Sequence, residues 1–499
     1  MIPPAVAILS ALLKQDNHEI RLFDSTYWEF PECKDVDRDG ERERHLQIPP
    51  CRDEQKPVPS YTTDVYDELN TVVAEFEPDL IAASATEDLF PYGIKLLENL
   101  RDKGKAKTIF GGVFPTFAPD RVIGHPGVDM ICLGEGEYPL LELCKRLEKG
   151  QSYTDIPNLW VKQDGVIFKN PVTSLTDMDG LPLMDLEIFD DSRFYRPFGG
   201  KICRTIPVDS HRGCPYHCAY CNSPGVKRIY KAEDMHFSRQ KSIENARREL
   251  LYYKNHWRAE YLYFLADTFL ALPNRYLEEF AEMYASEINL PFWCQTRPET
   301  LTEKRVTLLK KMGIHRIGMG VEHGNPQFRE KLLNRKTKNR AIIESIRRLE
   351  HHDITYAINS MIGFPMETRE LAFDTIRLNK EFSPEGRNMS IYVPYRGAPM
   401  RDMAEKMGYI DPDTIVTFWT RFSHLDMPQF SKESIEGVRR CFVPYVLLEK
   451  DRWPEIEQAE KLTPEGDKIW GKIRAHFLVG GRNFIKEDRV ESLVNPCQS

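Results

Sequence analysis

A chain of 499 residues has room for two to four domains, and its 41% hydrophobic content can fill real cores. A net charge of −8 and a pI near 6.0 argue against a broad nucleic-acid-binding surface. No apolar run approaches a membrane span, and the cysteines are scattered outside one cluster, which is reducing-compartment usage and points to the cytoplasm.

Residues 1–13 lack the basic start of a signal peptide and carry Pro3-Pro4 instead, so a helix over 5–14 entered through proline is expected. Residues 19–24 read as a strand. Residues 28–65, rich in Asp, Glu, Arg and Pro, read as a solvated insertion or mobile loop. Helices are then expected over 66–76, 91–103 and up to 149, with short apolar strands at 79–84, 108–110 and 130–133. That alternation describes a parallel sheet covered on both faces. Such sheets bind ligands at the carboxyl ends of their strands, where this chain has Ser84-Ala-Thr86, Gly111-Gly-Val113 and Gly134-Glu-Gly-Glu137. Taken singly, each glycine pair reads as an ordinary turn.

A connector over 150–200 holds a hairpin, 159–161 and 166–168, around an Asp-Gly turn. From 201 to 398 the rhythm returns. Strands at 206–208, 261–265, 291–294, 315–321, 355–362 and 389–393 alternate with helices at 240–254, 273–287, 301–312, 339–352 and 366–381. Six strands with five helices describe an incomplete TIM-like barrel, whose chemistry gathers at the carboxyl-terminal mouth. Residues 399–499 turn helical and aromatic. Trp419, Phe422, Trp453, Trp470 and Phe477 read as packing residues of a region placed to act as a substrate lid, and 495–499 as a frayed tail.

After the first barrel strand comes Ser210-His-Arg-Gly-Cys-Pro-Tyr-His-Cys-Ala-Tyr-Cys-Asn-Ser223, which spaces Cys214, Cys218 and Cys221 as C-x3-C-x2-C. Three soft thiolates this close point to iron–sulfur or zinc. On a four-iron cluster, three cysteines leave one iron open to a small molecule. A closed zinc site completed by His211 or His217 is the alternative.

The loop closely resembles the cluster loop of the radical S-adenosylmethionine (SAM) superfamily. The resemblance implies a [4Fe–4S] cluster on the three cysteines, with the amino and carboxylate groups of SAM on the open iron and Tyr220 beside the adenine. It also implies that Asp267 meets the methionyl amine, although Ala266 breaks the acidic pair many relatives have there. Gln295, Glu322 and Arg335 match positions at the SAM ribose and carboxylate, and Asn359 a ribose-side position. Residues 1–149 resemble the cobalamin-binding domain of one large subgroup, through Gly111-Gly-Val-Phe-Pro-Thr116 and Gly134-Glu-Gly-Glu137. Ser84, Thr86, Gly111, Gly112, Gly134 and Gly136 are then the expected cobalamin contacts.

That domain normally begins with a strand before its proline-started helix, and this chain begins at the helix. Asp16-Asn-His18-Glu-Ile-Arg21 mimics part of a histidine-ligand signature but ends in Arg, so His18 reads as a turn residue and cobalamin as bound without a histidine. The expected architecture is α/β: a Rossmann-like cobalamin-binding domain lacking its first strand, a partial (βα)6 barrel and a helical carboxyl-terminal region. The implied activity is SAM cleavage to a 5′-deoxyadenosyl radical, with cobalamin-dependent methyl transfer to an unactivated carbon of a small-molecule substrate. A flavodoxin or ferredoxin is the expected reductant. Radical cyclisation or rearrangement without methyl transfer is one alternative, and a zinc-stabilised, non-enzymatic binding module another.

Overall fold

The computed structural model describes residues 1–28, 30, 38–48, 61–173, 175–198, 201–232, 237–417 and 422–479. Trp419 and the tail at 495–499 lie outside them.

Helices α1 (Pro4–Gln15), α2 (Arg38–Arg44) and α3 (Val65–Phe76) precede the first sheet. Proline at the first turn starts α1, and Asp64 caps α3 by accepting from the amides of Tyr66 and Asp67. Strands β1 (Leu80–Ser84), β2 (Lys107–Gly111) and β3 (Met130–Cys132) are parallel. Between them lie α4 (Phe90–Glu98), α5 (Val113–Phe117) and α6 (Pro119–Gly124), and α7 (Glu137–Glu148) follows. The expected hairpin forms as β4 (Leu159–Gln163) and β5 (Val166–Lys169). It is not part of a free connector, because β4 pairs antiparallel with β3 and extends the first sheet.

The strand expected at 19–24 does not form. Its side chains serve two cores instead of a ladder: Ile20 packs among Leu13 and Leu143, whereas Leu22 packs against the barrel core. Among the described residues the outer edge of β1 has no strand beside it, and Ala82 and Ser84 are exposed. His18 sits in the turn that ends α1, its amide bonded to the Leu13 carbonyl and its ring 3.4 Å from Asp16.

The second sheet starts with β6 (Tyr195–Phe198) and β7 (Lys201–Val208), which are antiparallel. A ribbon of β8 (His211–Arg212) and β9 (Arg239–Gln240) encloses the cysteine loop and α8 (Ser223–Ala232), and α9 (Ile243–Asn255) follows. Then come β10 (Tyr261–Phe264), α10 (Asn274–Met283), β11 (Phe292–Thr296), α11 (Glu303–Lys311) and β12 (Ile314–Glu322). The unit ends with α12 (Pro326–Lys331), α13 (Asn339–His351), β13 (Thr355–Ile362), α14 (Arg369–Asn379) and β14 (Gly386–Ile391). The order β14-β13-β12-β11-β10-β7-β6 contains the six expected parallel strands, curled as a half-barrel. Alternation decides which side chains face its concave side. On β13, Tyr356 and Ile358 join the core under the helices, leaving Ala357, Asn359 and Met361 for the lumen. Low in that lumen Trp293 stacks on Tyr263 at 4.1 Å, over Gly318.

Helices α15 (Pro399–Lys406), α16 (Lys432–Arg440), α17 (Phe442–Leu447), α18 (Trp453–Ala459) and α19 (Pro464–Val479) pack on the outside of the barrel. Trp453 packs edge-on to Phe373 and Tyr445, and Trp470 and Phe477 are half-buried in the same core, whereas Phe422 is exposed. The stretch 38–48, expected to be solvated or mobile, is instead seated on the free edge of β14. The Gln47 side chain donates to the Met389 carbonyl and accepts from its amide, both at 3.2 Å, which satisfies an edge strand's open backbone groups. Among the described residues no helix is long and apolar enough to cross a membrane.

Candidate active site

The cysteine loop leaves the barrel at the end of β7 and is held from both sides. Arg212, two residues before Cys214, lies 2.9 Å from Asp209 and 2.7 Å from Glu137 at the start of α7. Burial works against its charge, but Asp209, Glu137 and Glu135 outweigh it and push its pKa up. Arg239 in β9 bonds Glu135, whose other oxygen accepts the Thr176 amide at 2.7 Å. On the far side of the loop, the buried Tyr230 of α8 accepts the Glu135 amide at 2.7 Å. Gly134, with φ 71°, is needed there because a Cβ would stand 2.2 Å from the Tyr230 hydroxyl. The first sheet and the cysteine loop thus form one polar joint.

Cys214, Cys218 and Cys221 are unpaired and half-buried. Polar groups stand beside every sulfur, among them the Thr268 hydroxyl 3.6 Å from Cys214, the Arg297 guanidinium 3.2 Å from Cys218 and the Ser223 amide 3.4 Å from Cys221. Arg297 is fixed by Glu299 and by the ring of Tyr216, 3.7 Å below it. Among the described residues, no three His, Cys, Asp or Glu side chains gather tightly enough to hold a single ion. The same holds with His211, which bonds Ser210, and His217, which lies beside Lys227. A [4Fe–4S] cluster takes one thiolate per iron, and hydrogen bonds to the cysteine sulfurs, as found here, tune its potential. The donor set therefore fits a cluster. Burial pushes the Cys221 thiol up to about 12, so metal binding must expel its proton.

Beside the cysteines, Arg335 lies 2.9 Å from Glu322 and donates to the Tyr220 hydroxyl at 3.2 Å. Arg335 is only 3% exposed. Burial pushes the Glu322 carboxyl above its ordinary range against the pull of Arg335, and raises the Tyr220 phenol strongly. Glu322 itself is backbone-strained, at φ 68° where β12 ends. Its carboxylate lies back over Gly320, where a Cβ would be 2.1 Å from its Oε1.

The other expected SAM contacts are spread across the mouth. Asp267 follows β10 and is exposed, its carboxyl raised by the enclosing protein and by Asp209. Gln295 is exposed at the end of β11 and donates to the Ala266 carbonyl at 3.2 Å. Asn359 lies deeper, three residues before the end of β13 and in register with Gly320, and accepts from Asn388 at 2.8 Å.

On the first sheet, Ser84 pairs in register with Gly111, and Gly111 and Gly136 both lie beside Cys132. Added Cβ atoms on Gly111 and Gly136 would meet only Cys132, at 3.9 and 3.6 Å, so these glycines leave an open ledge. Gly112 has a different reason: at φ 100° a Cβ would press on the Ala85 carbonyl at 2.9 Å. Thr86 is exposed, and its hydroxyl donates to Asp88 at 2.6 Å.

Thr268, Arg297 and the Arg212–Tyr230 joint were not among the expected residues. Thr268 and Arg297 stand one and two positions beyond Asp267 and Gln295, so the ends of β10 and β11 already marked them. Arg212 and Tyr230 carried no sequence signal, since their partners lie in the other sheet.

Residues 208–378 match the family model of the radical SAM superfamily, and residues 56–144 that of the B12 binding domain. An uncharacterized methyltransferase of Pyrococcus horikoshii is 23% identical over 402 residues, 77% of this chain and 82% of that protein. The anaerobic magnesium-protoporphyrin IX monomethyl ester cyclase of Cereibacter sphaeroides is 25% identical over 361 residues, 69% of this chain but only 56% of the cyclase. The cobalamin-dependent SAM radical enzyme OxsB, solved with aqua-cobalamin and SAM bound, superposes with a TM-score of 0.64 at 15% identity, covering 98% of this chain and 72% of OxsB. The radical SAM methyltransferase TsrM from Kitasatospora setae, solved with cobalamin and a [4Fe–4S] cluster, gives 0.61 at 15% identity over 95% of this chain and 97% of TsrM. At that identity the two structures establish the shared fold.

Proposed function

Since this chain is a radical SAM enzyme that also carries a B12-binding domain, we propose that it methylates an unactivated carbon of a small molecule held in its half-barrel. The observation that carries this reading is the trio of sulfurs at the barrel mouth, each beside a hydrogen-bonding group and all joined to the B12-type sheet through Arg212 and Tyr230. When bound, the cluster, SAM and cobalamin supply the electron, the 5′-deoxyadenosyl radical and the methyl group.

The chain's own residues hold and orient. Cys214, Cys218 and Cys221 ligate the cluster, while Thr268, Arg297 and the Ser223 amide steady the sulfurs. Arg335 suits a carboxylate through its planar fork, and Glu322 and Tyr220 pre-position that fork before SAM arrives. Glu322 and Gln295 offer acceptors to a ribose diol, and Asp267 offers a carboxylate to the methionyl amine. The ledge of Ser84, Gly111 and Gly136 supports cobalamin. His18 stays in the α1 turn beside Asp16, in keeping with a cofactor bound without a histidine ligand. The reductant is a flavodoxin or ferredoxin.

The cyclase likeness favours one second reading, radical cyclisation without methyl transfer. Anaerobic incubation of the reconstituted protein with SAM, hydroxocobalamin and dithionite, against candidate substrates, separates the two by mass spectrometry. Methyl transfer yields a product heavier by one methyl group, with both 5′-deoxyadenosine and S-adenosylhomocysteine formed. Deoxyadenosine without S-adenosylhomocysteine points to cyclisation, and the absence of both overturns the radical reading.

A further inference from the structure

We propose that the B12-type domain has a second role besides holding a cofactor. Through the turn at 395–400 it fixes the shape of the cysteine loop, so that Phe117 and Glu87 are positioning residues for SAM cleavage even with no cobalamin bound. This inference rests on Cys214, Cys218 and Cys221 ligating the cluster.

Residues 213–222 form neither helix nor strand, so the loop takes its shape from the groups bonded to it. Ala219, between Cys218 and Tyr220, is held on both sides. Its amide donates to the Leu333 carbonyl at 3.1 Å, and its carbonyl accepts the Met400 amide at 2.9 Å. Met400 stands in the first turn of α15, directly after the Tyr395-Arg-Gly-Ala398 turn that comes beyond β14.

The B12-type domain grips that turn at two points. Glu87, 3% exposed in the loop after β1, accepts the amides of Arg396 at 3.0 Å and Val416 at 3.3 Å. The guanidinium groups of Arg396 and Arg401 lie 3.6 and 4.0 Å from the same carboxylate, which adds charge to those hydrogen bonds. Phe117, the last residue of α5, lays its ring on Gly397, where φ is 85° and a Cβ would overlap the ring. The same ring covers Gly225, where a Cβ would stand 2.7 Å from it.

Gly225 lies in the first turn of α8, and that helix starts at Ser223, whose amide donates to the Cys221 sulfur. One ring therefore bears on both flanks of the trio. It reaches Cys218 through Gly397, Met400 and Ala219, and Cys221 through α8. Contacts packed this closely pass a displacement on instead of absorbing it.

The test uses the full chain with its cluster reconstituted and no cobalamin. Phe117→Ala is expected to weaken SAM binding, read by calorimetric titration, and to slow deoxyadenosine formation under dithionite, each at least fivefold. Phe117→Leu should keep most of both. Glu87→Gln should act in the same direction, and because both residues work through one turn, the double variant should lose less than the product of the single losses. Val161→Ala, in the separate core under α1 and α7, controls for general destabilisation and should stay within twofold of wild type. Failure of Phe117→Ala to take up iron while Val161→Ala takes up its full complement also supports the role. Values within twofold of wild type in Phe117→Ala, an equal loss in Val161→Ala, or fully multiplicative losses in the double variant overturn it. Wild-type protein that holds its cluster but forms no deoxyadenosine overturns the radical reading instead, and the SAM affinities then still decide the positioning role.

Discussion

The Arg212 guanidinium, two residues before the first cysteine of the loop, lies 2.7 Å from the Glu137 carboxylate at the start of a helix in the other sheet. The cysteine loop is thereby anchored to the part of the chain that matches the B12 binding domain. Both side chains are largely buried, so removing one strands the other's charge. Glu137→Ala is expected to cost about 3 kcal/mol of stability, and to speed loss of iron from the reconstituted protein. Denaturant titration and the decay of the cluster's visible absorbance check the two effects.

Replacing Cys214, Cys218 or Cys221 with alanine should abolish deoxyadenosine formation and leave the protein colourless or short of iron. Iron and sulfide analysis with electron paramagnetic resonance of the reduced protein decides this. Wild-type turnover in any one of the three variants contradicts the ligand assignment.

Gly320→Ala places a methyl group where the Glu322 carboxylate lies. Glu322 must swing away, and Arg335 loses the partner that orients it. SAM affinity is expected to fall at least tenfold, about 1.4 kcal/mol, while the circular dichroism spectrum is retained. Calorimetric titration of SAM into the reconstituted protein gives the answer.

Arg297→Met removes the cationic donor from the Cys218 sulfur and leaves the thiolate in place. Donors to cluster sulfurs favour the reduced, more negative state, so their loss makes the potential more negative. A shift on the order of tens of millivolts is expected from a charge-assisted bond worth roughly 1.5–3 kcal/mol before solvent compensation. Potentiometric titration measures it, and an unchanged potential removes Arg297 from the cluster's surroundings.

His45 gives a pH dependence with a definite sign. Burial first, then Arg439, Arg440, Arg44 and Arg474, lower its pKa to about 3. The unfolded segment binds a proton near the ordinary histidine value of about 6.5, whereas the folded one does not until about pH 3. Stability is therefore full above the ordinary value and is lost progressively as the pH falls toward 3. The protection factors of residues 38–48, with exchange corrected for its intrinsic pH dependence, should fall between pH 7 and 4, and His45→Gln should flatten that response.

The order of the parallel strands in both sheets was legible because each apolar run is too short to be anything but a strand between amphipathic helices. The cysteine loop, and the ends of β10, β11 and β12, were legible for the same reason, since a parallel barrel places its strand ends at one mouth. The run at 19–24 has the alternation of a strand, yet periodicity cannot say whether a partner lies alongside. The segment 38–48 has the composition of solvated chain, and nothing local foretells that Gln47 will seal the edge of β14. Likewise the Asp-Gly hairpin was visible as a hairpin, but not that it would extend the first sheet.

By itself the sequence determined the local chemistry of this protein: which thiols share a loop, which polar residues close each barrel strand and where helix gives way to strand, all of it governed by neighbours within a few positions. Only the tertiary structure decided which residues meet across long separations: Arg212 with Glu137, Tyr230 with Glu135, Arg42 with Asn388. The reason is physical. Turn chemistry and periodicity act through the chain, whereas pairing of buried charges and the covering of a strand edge depend on surfaces that exist only once both sheets have packed.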